Sequence, residues 1–262
     1  MCNALWIGPS LGRIEQACLR SFVEAGHRVD LHVYDDVAGV PAGVQVVDAR
    51  TILPRESIVR YRATGSYSLF SNRFRYELLR AGRGLWIDCD VLCLRPIDDA
   101  AFVFGRQDEH LINGAVLRVP SSHAVLADLN GMFATRRWIP PWLGRRRKLL
   151  YWLQYRARRE FGLADMTFGT SGPRALTYYL GRHGLAGYAR PVDVFYPIGW
   201  RESHLLSGRD REMVRAHLAE RTVCIHLWSQ ARSERNAQIA PGSFLEAVMD
   251  GSWRGVLAAG HD

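Results

Sequence analysis

Apolar and polar positions in the first part of the chain follow the periods of strands and helices. Residues 4–7 form a strand-like apolar run, and residues 29–34 alternate apolar and polar side chains as a half-buried strand does. Between these two segments, Ile14, Cys18 and Phe22 recur at helical spacing. The order strand, helix, strand is the beginning of a nucleotide-binding α/β unit.

The same periods continue through the rest of the chain. Apolar residues at helical spacing precede Gly82 and Gly84, which are placed to end a helix that Ser71 can cap, and residues 85–87 follow as a buried strand. Further strands are predicted at residues 101–104, 115–119 and 222–226, and a helix from Pro173 to Leu180. We therefore expect an α/β fold with a Rossmann-like, mostly parallel sheet covered by helices on both faces. Ligands would bind at the carboxyl ends of its strands.

Composition sets broad limits on this picture. The 262 residues are 48% hydrophobic and 23% charged, which is typical of globular proteins and excludes a disordered or fibrous chain. We find no apolar run of the roughly 18 to 20 residues that a membrane-spanning helix needs, and no secretory signal. The five cysteines form no Cys-x-x-Cys pair, which favours a reducing compartment over a disulfide scaffold or a structural zinc site. No repeat or linker divides the sequence, so we expect one domain over residues 1–262 and a cytoplasmic location.

Arginine supplies nearly all of the positive charge. Lys148 is the only lysine, and the formal net charge is +8. This bias reflects either the codon usage of a GC-rich genome or guanidinium groups that bind the phosphates of nucleotides, lipid diphosphates or nucleic acid. An aromatic-rich insertion at about residues 134–160 holds nine basic residues and no acidic one between Arg136 and Arg159. Such a stretch is either a solvated helix face or a surface for an anionic membrane or a lipid-linked or phosphorylated acceptor.

Asp88 and Asp90 are the first candidate metal-binding residues, and they follow the predicted strand at residues 85–87. A strand that ends in a turn at Asp88 can direct both carboxylates at one bound ion. Hard oxygen ligands suit Mg²⁺ or Mn²⁺. The triplet alone is weak evidence, because aspartate is common in turns and two solvated turn aspartates explain the same pattern.

The segment around this triplet is more specific. It reads Ser71-Asn72-Arg73-Phe74-Arg75-Tyr76, then Gly82-Arg83-Gly84, Trp86 and Asp88-Cys89-Asp90. This order resembles the DXD-type sugar-nucleotide glycosyltransferases, in particular glycosyltransferase family 32, which includes capsular polysaccharide transferases, α-1,4-galactosyl- and α-1,6-mannosyltransferases and, distantly, glucosylating clostridial toxins. The family pattern is Ser-Asp-x-x-Arg-Tyr, a Gly-Gly break, an aromatic residue and Asp-x-Asp. Asn72 replaces the usual aspartate and leaves an amide that can bind hydroxyls. The resemblance implies a GT-A fold.

Three further segments are similar to this family. In Leu5-Trp6-Ile7-Gly8, the resemblance implies that Trp6 stacks on the uracil of the donor, and a core residue of an edge strand is the alternative. Asn113 lies before a predicted strand and would face the donor sugar or the acceptor, unless it only forms a turn. Residues 169–173 resemble a helix start whose free N–H groups hold an anion or a hydroxyl, although ordinary capping explains them equally well.

Residues 223–229 are similar to the last part of the family's site. The resemblance implies that His226 completes the metal site, and that Trp228 and Ser229 fold over the diphosphate. A neutral imidazole would fill one position around a six-coordinate Mn²⁺. Without the resemblance, a histidine at the end of an apolar strand is more often a hydrogen-bonded core residue.

The resemblance implies a retaining, metal-dependent transfer of a hexose from a nucleotide diphosphate sugar, with a UDP-sugar as the expected donor. The acceptor would be a hydroxyl of a glycan or of a lipid-linked molecule in bacterial surface polysaccharide or glycolipid synthesis. Asp90 would bind the metal directly, Asp88 would bind it through water or hold hydroxyls, and Arg75 would fix the donor sugar or diphosphate, with Ser71 and Asn72 beside it. The main alternative is a non-catalytic sugar-nucleotide or glycan-binding protein on the same fold. We expect no nucleic-acid partner, because the sequence has no recognised reading module.

Overall fold

The computed structural model describes residues 1–158, 161–229 and 238–258. Its strands are β1 (Cys2–Trp6), β2 (Val29–Val33), β3 (Val44–Asp48), β4 (Leu85–Ile87), β5 (Val91–Cys93), β6 (Val103–Arg106), β7 (Ile112–Arg118) and β8 (Cys224–His226). Six of them form one sheet in the order β3-β2-β1-β4-β7-β6, and β5 and β8 form a second, two-stranded antiparallel sheet. In the large sheet β3, β2, β1 and β4 are parallel, while β7 is antiparallel to β4 and to β6. The predicted mostly parallel α/β sheet is confirmed.

Helices connect these strands. They are α1 (Arg13–Glu24), α2 (Ser68–Arg80), α3 (Val125–Ala134), α4 (Arg145–Ala157), α5 (Ala175–Arg182), α6 (Val192–Phe195), α7 (His204–Ser207), α8 (Arg211–Ala216), α9 (Phe244–Asp250) and α10 (Trp253–Ala258). None of the helices in the described residues has the length and apolar character that crossing a membrane requires.

Both faces of the sheet are covered because alternate strand residues point to opposite sides. In β4, Leu85 and Ile87 pack into a core with α1 and α9, whereas Trp86 packs into a second core with α2, α3 and α5. Asn3, between the core residues Cys2 and Ala4 of β1, is also buried, and its side-chain amide donates to two backbone carbonyls near the start of β4.

The order of the strands creates a crevice. The chain runs outward from β1 to β2 and β3, and β4 then lies on the other side of β1. The connections after the neighbouring strands β1 and β4 therefore diverge at their carboxyl ends, which is where ligands bind in open α/β sheets. Trp6 ends β1, and the Asp88-Cys89-Asp90 segment directly follows β4.

Several predicted element ends are wrong. Ser71 does not cap α2, because the helix begins three residues earlier, at Ser68, where the hydroxyl of Ser66 accepts the N–H of Ser68 at 3.2 Å. The helix predicted from Pro173 begins as a π-helical turn at Thr170–Arg174, since Gly172 has a non-helical φ of −99° and ψ of −114°. The strand predicted at 101–104 lies two residues later, at Val103–Arg106. The strand predicted at 115–119 begins three residues earlier, at Ile112, so Asn113 lies within β7 and not in a turn before it. The strand predicted at 222–226 is shorter, at Cys224–His226. Strands β3 and β5 were not predicted.

Gly82 and Gly84 follow directly after the end of α2 at Arg80, as the sequence predicts. Their φ angles are 70° and 102°, which a residue with a side chain adopts only with strain. At Gly84 a Cβ would also lie 2.9 Å from the carbonyl oxygen of Met1. The close approach of these two chain segments brings β4 against β1 and so sets the position of the residues after β4.

His32 makes folding stability depend on pH. Burial lowers the pKa of this residue from 6.5 to about 4, and its ring contacts Asn3 Oδ1 at 3.0 Å through Nε2. Between these two pH values the unfolded chain binds a proton that the folded chain does not, so stability falls as the pH decreases. We expect a loss of roughly 2 kcal/mol between pH 7 and pH 5, measured by urea unfolding. The His32→Gln variant, which does not titrate, should lack most of this loss, and equal pH dependence in both proteins would contradict the assignment.

Candidate active site

The turn between β4 and β5 carries the two candidate metal-binding aspartates. The carbonyl of Asp88 accepts the N–H of Val91 at 3.2 Å, which closes this turn. Cys89 points the other way and is buried, with its Sγ 3.5 Å from the carbonyl oxygen of Leu5. Burial, together with the flanking carboxylates, raises the pKa of the Cys89 thiol, so it stays protonated and is a poor metal ligand. Asp88 and Asp90 therefore carry the chemistry of this turn.

Asp88 is fixed by two donors on one carboxylate oxygen. Its Oδ1 accepts from Arg75 Nη2 at 2.8 Å and from Trp86 Nε1 at 2.7 Å. The Arg75 side chain is only 8% exposed and its guanidinium lies 5.1 Å from the Trp86 ring centroid. Because Arg75 is buried against Asp88, the guanidinium can orient the Asp88 carboxylate and balance its negative charge.

Asp90 is fixed by the segment after β8. Pairing of β5 with β8 sets Val91 opposite His226, so the imidazole lies beside the aspartate. Asp90 Oδ1 is 3.2 Å from His226 Nε2, and its Oδ2 accepts the backbone N–H of Ser229 at 2.8 Å. His226 thus lies beside Asp90, as its expected part in the metal site requires, while the contact of Ser229 with Asp90 was not predicted.

The three side chains Asp88, Asp90 and His226 form a possible metal centre. One ligand atom from each lies within 4.8 Å of the other two. Ligands of a divalent ion at about 2.1 Å are separated by about 3 to 4 Å, so small side-chain movements would bring all three onto one ion. The His226 Nδ1 atom is buried without a hydrogen-bond partner in the described residues. Two carboxylate oxygens and one imidazole suit Mn²⁺ or Mg²⁺, and the residues fit the ion that the sequence implies.

Trp228 is held behind this cluster in a strained conformation. Its φ of 52° lies in the left-handed region, which costs a residue with a side chain about 1 to 2 kcal/mol. The indole N–H donates to the carbonyl of Ile198 at 2.7 Å, and the ring lies 3.9 Å from the His226 ring centroid. Trp228 is 8% exposed, so in this conformation it supports His226 from behind. We expect the loop that follows Trp228 to keep water away from the donor, and its residues 230–237 lie outside the described residues.

Asn72 has a partner that the sequence did not indicate. Its Nδ2 donates to Ser171 Oγ at 3.0 Å, and the same hydroxyl is 3.0 Å from the hydroxyl of Tyr61. Tyr76 donates to the carbonyl of Ser171 at 3.0 Å. All these groups are buried. The helix-start segment at residues 169–173 is therefore joined to α2, and Asn72 holds it in place.

The remaining predicted residues make local hydrogen bonds. Trp6 is half-buried at the end of β1, and its indole N–H donates to the carbonyl of Ser10 at 3.0 Å, across the turn that contains Gly8. The side-chain amide of Asn113 is hydrogen-bonded through both its nitrogen and its oxygen. Nδ2 donates to Gln107 Oε1 and Oδ1 accepts from the N–H of Ala115, each at 2.7 Å. Ser71 Oγ is 3.5 Å from Arg75 Nη2.

Sequence reasoning missed two residues of this region. Tyr196 accepts the N–H of Val116 at 3.2 Å, and its ring centroid is 5.9 Å from that of His226. Burial raises the pKa of Tyr196, which keeps its hydroxyl protonated. Gly114 leaves room for Arg75, because a Cβ there would lie 2.7 Å from Nη1. Gly114 follows Asn113, which the sequence placed near the donor sugar or the acceptor, whereas no feature of the sequence pointed to Tyr196.

Comparison with known proteins supports the fold. No protein-family model matches the chain, and no curated protein matches it. Among solved structures, the chain is similar to the ligand-free glycosyltransferase domain from the YGT toxin, with a TM-score of 0.50, 9% identity and coverage of 99% of this chain and 90% of that one. It is also similar to the PaToxG glycosyltransferase, with a TM-score of 0.43, 10% identity and coverage of 98% and 84%. The first of these likenesses shows that the chain has the α/β fold of a glycosyltransferase domain.

Proposed function

We propose that this chain is a metal-dependent glycosyltransferase that moves a hexose from a nucleotide diphosphate sugar to an acceptor hydroxyl. The observation that carries the proposal is the cluster of Asp88, Asp90 and His226 at the carboxyl end of β4. A cluster of two carboxylates and an imidazole at a crevice between parallel strands suits a divalent ion with a diphosphate. The membership in glycosyltransferase family 32 that the sequence motifs suggest remains part of this proposal.

Each residue of the cluster has a distinct task in this proposal. Asp90 and His226 bind the ion directly, and Asp88 binds it directly or through water. When bound, Mn²⁺ or Mg²⁺ would neutralise the charge of the leaving diphosphate. Arg75 positions Asp88 through its hydrogen bond, and the direct contact with the donor that the family resemblance implies stays a prediction. Trp228 supports the imidazole of His226 by ring contact.

The donor would lie across the ends of β1 and β4. Trp6 is half-buried there, which leaves part of its ring free to stack on a uracil. We propose a retaining reaction on one face of the sugar. The bond between the anomeric carbon and the diphosphate oxygen breaks, the acceptor oxygen bonds to the same carbon, and the acceptor proton passes to a phosphate oxygen of the leaving group.

Binding of UDP should depend strongly on a divalent cation. Without the ion, the carboxylates of Asp88 and Asp90 repel the diphosphate, so we expect UDP affinity at least a hundredfold weaker in EDTA than with Mn²⁺. Isothermal titration calorimetry measures this difference. Uridine, which has no phosphate, serves as the control and should bind equally under both conditions. Equal UDP affinity with and without the ion would contradict the metal site.

Turnover of a bound donor separates the enzyme from a non-catalytic binding protein. A thermal-shift panel of UDP-, GDP- and TDP-sugars with Mn²⁺ identifies the donor. Slow release of the free sugar from that donor, measured without acceptor, then indicates an enzyme. Tight binding without any turnover favours the alternative of a sugar-nucleotide-binding protein.

A further inference from the structure

Helix α4 presents large apolar side chains to solvent. Leu149, Leu150, Trp152 and Leu153 are 57%, 53%, 47% and 48% exposed. At 100° per residue, these four positions and the exposed Arg145 and Arg146 share the outer side of the helix. We call these six residues the α4 face. Contiguous apolar groups of this kind on a protein surface indicate an interaction site.

The opposite side of α4 fixes this orientation. Tyr155 is buried, donates its hydroxyl to the carbonyl of Trp138 at 2.6 Å, and has its ring centroid 4.9 Å from that of Phe161. Tyr151 contacts the same phenyl ring, at 5.6 Å between centroids. The helix already has a packed inner side, so its outer leucines are not turned toward the core.

Charge identifies the kind of partner. Residues 136–159 contain nine basic residues and no acidic one, and all but Arg159 lie in the described residues. Arg145, Arg146, Arg147 and Arg174 line a surface depression of about 550 Å³ at the start of α4. Guanidinium groups at this density favour an anionic partner with repeated phosphates.

We propose that the α4 face binds an anionic lipid surface. Arginines pair with lipid phosphates, while leucine and tryptophan side chains enter the boundary between headgroups and acyl chains. A nucleic acid would satisfy the arginines but would leave the three leucines in water. The proposal is independent of the proposed enzymatic function.

The depression beside the α4 face reaches the turn that is joined to α2. Arg174, which lines the depression, ends the turn Thr170–Arg174, and Ser171 of that turn is hydrogen-bonded to Asn72. A membrane that contacts the α4 face would therefore lie close to the segment joined to α2.

Sedimentation with lipid vesicles tests the proposal. The wild-type chain should bind vesicles of phosphatidylcholine with 30% phosphatidylglycerol, and bind pure phosphatidylcholine much more weakly. In the first variant Arg145, Arg146 and Arg147 become serine. At about 1 kcal/mol per basic residue, it should bind the anionic vesicles roughly a hundredfold more weakly. The matched control changes the exposed Arg20, Arg80 and Arg209 to serine and should bind like the wild type apart from a small general charge effect.

A second variant, Leu149→Ser with Leu153→Ser, keeps the charge and should lose about tenfold or more in vesicle binding. Thermal midpoints close to that of the wild type are expected for all variants, because the changed side chains are exposed. If the leucine variant binds like the wild type, only charge attraction is present and the proposal is overturned. It is also overturned if vesicles are not bound while a single-stranded RNA is retained, or if the leucines instead support a dimer of this chain in light scattering.

Discussion

Transfer activity should fall at least a hundredfold when Asp90 is changed to Asn. The variant keeps the size of the side chain and one oxygen that can accept the Ser229 N–H, which is 2.8 Å from Oδ2 in the wild type. It removes the negative charge that a hard divalent ion requires from its ligand. The loss should appear first in binding of Mn²⁺ alone, which electron paramagnetic resonance measures without any substrate.

The folding midpoint of Asp90→Asn should hold or rise slightly. Asp88 and Asp90 lie within one cluster, and removal of one negative charge relieves their repulsion when no ion is bound. Asp99→Asn is a matched control, because the Asp99 side chain is 98% exposed and forms a surface ion pair with Arg118 at 3.3 Å. Near-normal turnover in the Asp90 variant would contradict the proposed function. A large loss of stability would indicate that these aspartates are turn formers.

His226→Ala should change the same quantities in the same direction but by less. Water can occupy the position of one imidazole, whereas it cannot replace a carboxylate charge. The order of effects therefore distinguishes a metal centre from a hydrogen-bonded core histidine. In the latter case His226→Ala would cost stability and leave Mn²⁺ binding unchanged.

Periodicity predicted the parts of the fold that depend on local sequence. The first strand, helix and strand and the buried strand at 85–87 agree with β1, α1, β2 and β4. Their apolar side chains repeat with the period of the element, and the carboxyl end of β4 follows from the strand itself. The position of Asp88 and Asp90 beyond a buried strand was therefore readable in the sequence.

The pairing of strands that are far apart in the sequence could not be predicted from local patterns. Strand β8 was predicted and β5 was not, and no local pattern shows that these two short strands pair and so bring His226 to Asp90 across 136 positions of sequence. Only the family resemblance connected these two residues. The contact of Asn72 with Ser171 depends on the non-helical backbone at Gly172, and a sequence pattern does not express that geometry.

Packing between α2 and β7 leads to the last prediction, which concerns Gly114. A Cβ at this position would lie 2.7 Å from Arg75 Nη1 and 3.4 Å from Leu176 Cδ2. Arg75 is buried, so its guanidinium has to shift away from the added Cβ, and we expect this shift to weaken the 2.8 Å bond from Nη2 to Asp88. We expect Gly114→Ala to lower transfer at least tenfold and to cost about 1 to 3 kcal/mol of stability.

Gly181→Ala is the matched control for this change. Gly181 lies inside α5 and a Cβ there meets no atom within 4 Å, so alanine should raise the stability by about 0.5 to 1 kcal/mol with activity unchanged. A double-mutant cycle then tests whether the added methyl group of Gly114→Ala acts through Arg75. If it does, Gly114→Ala in an Arg75→Met background should cost little further activity, because the displaced guanidinium is already gone. Full additivity of the two losses would show that the methyl group of Gly114→Ala affects the site by another route than Arg75.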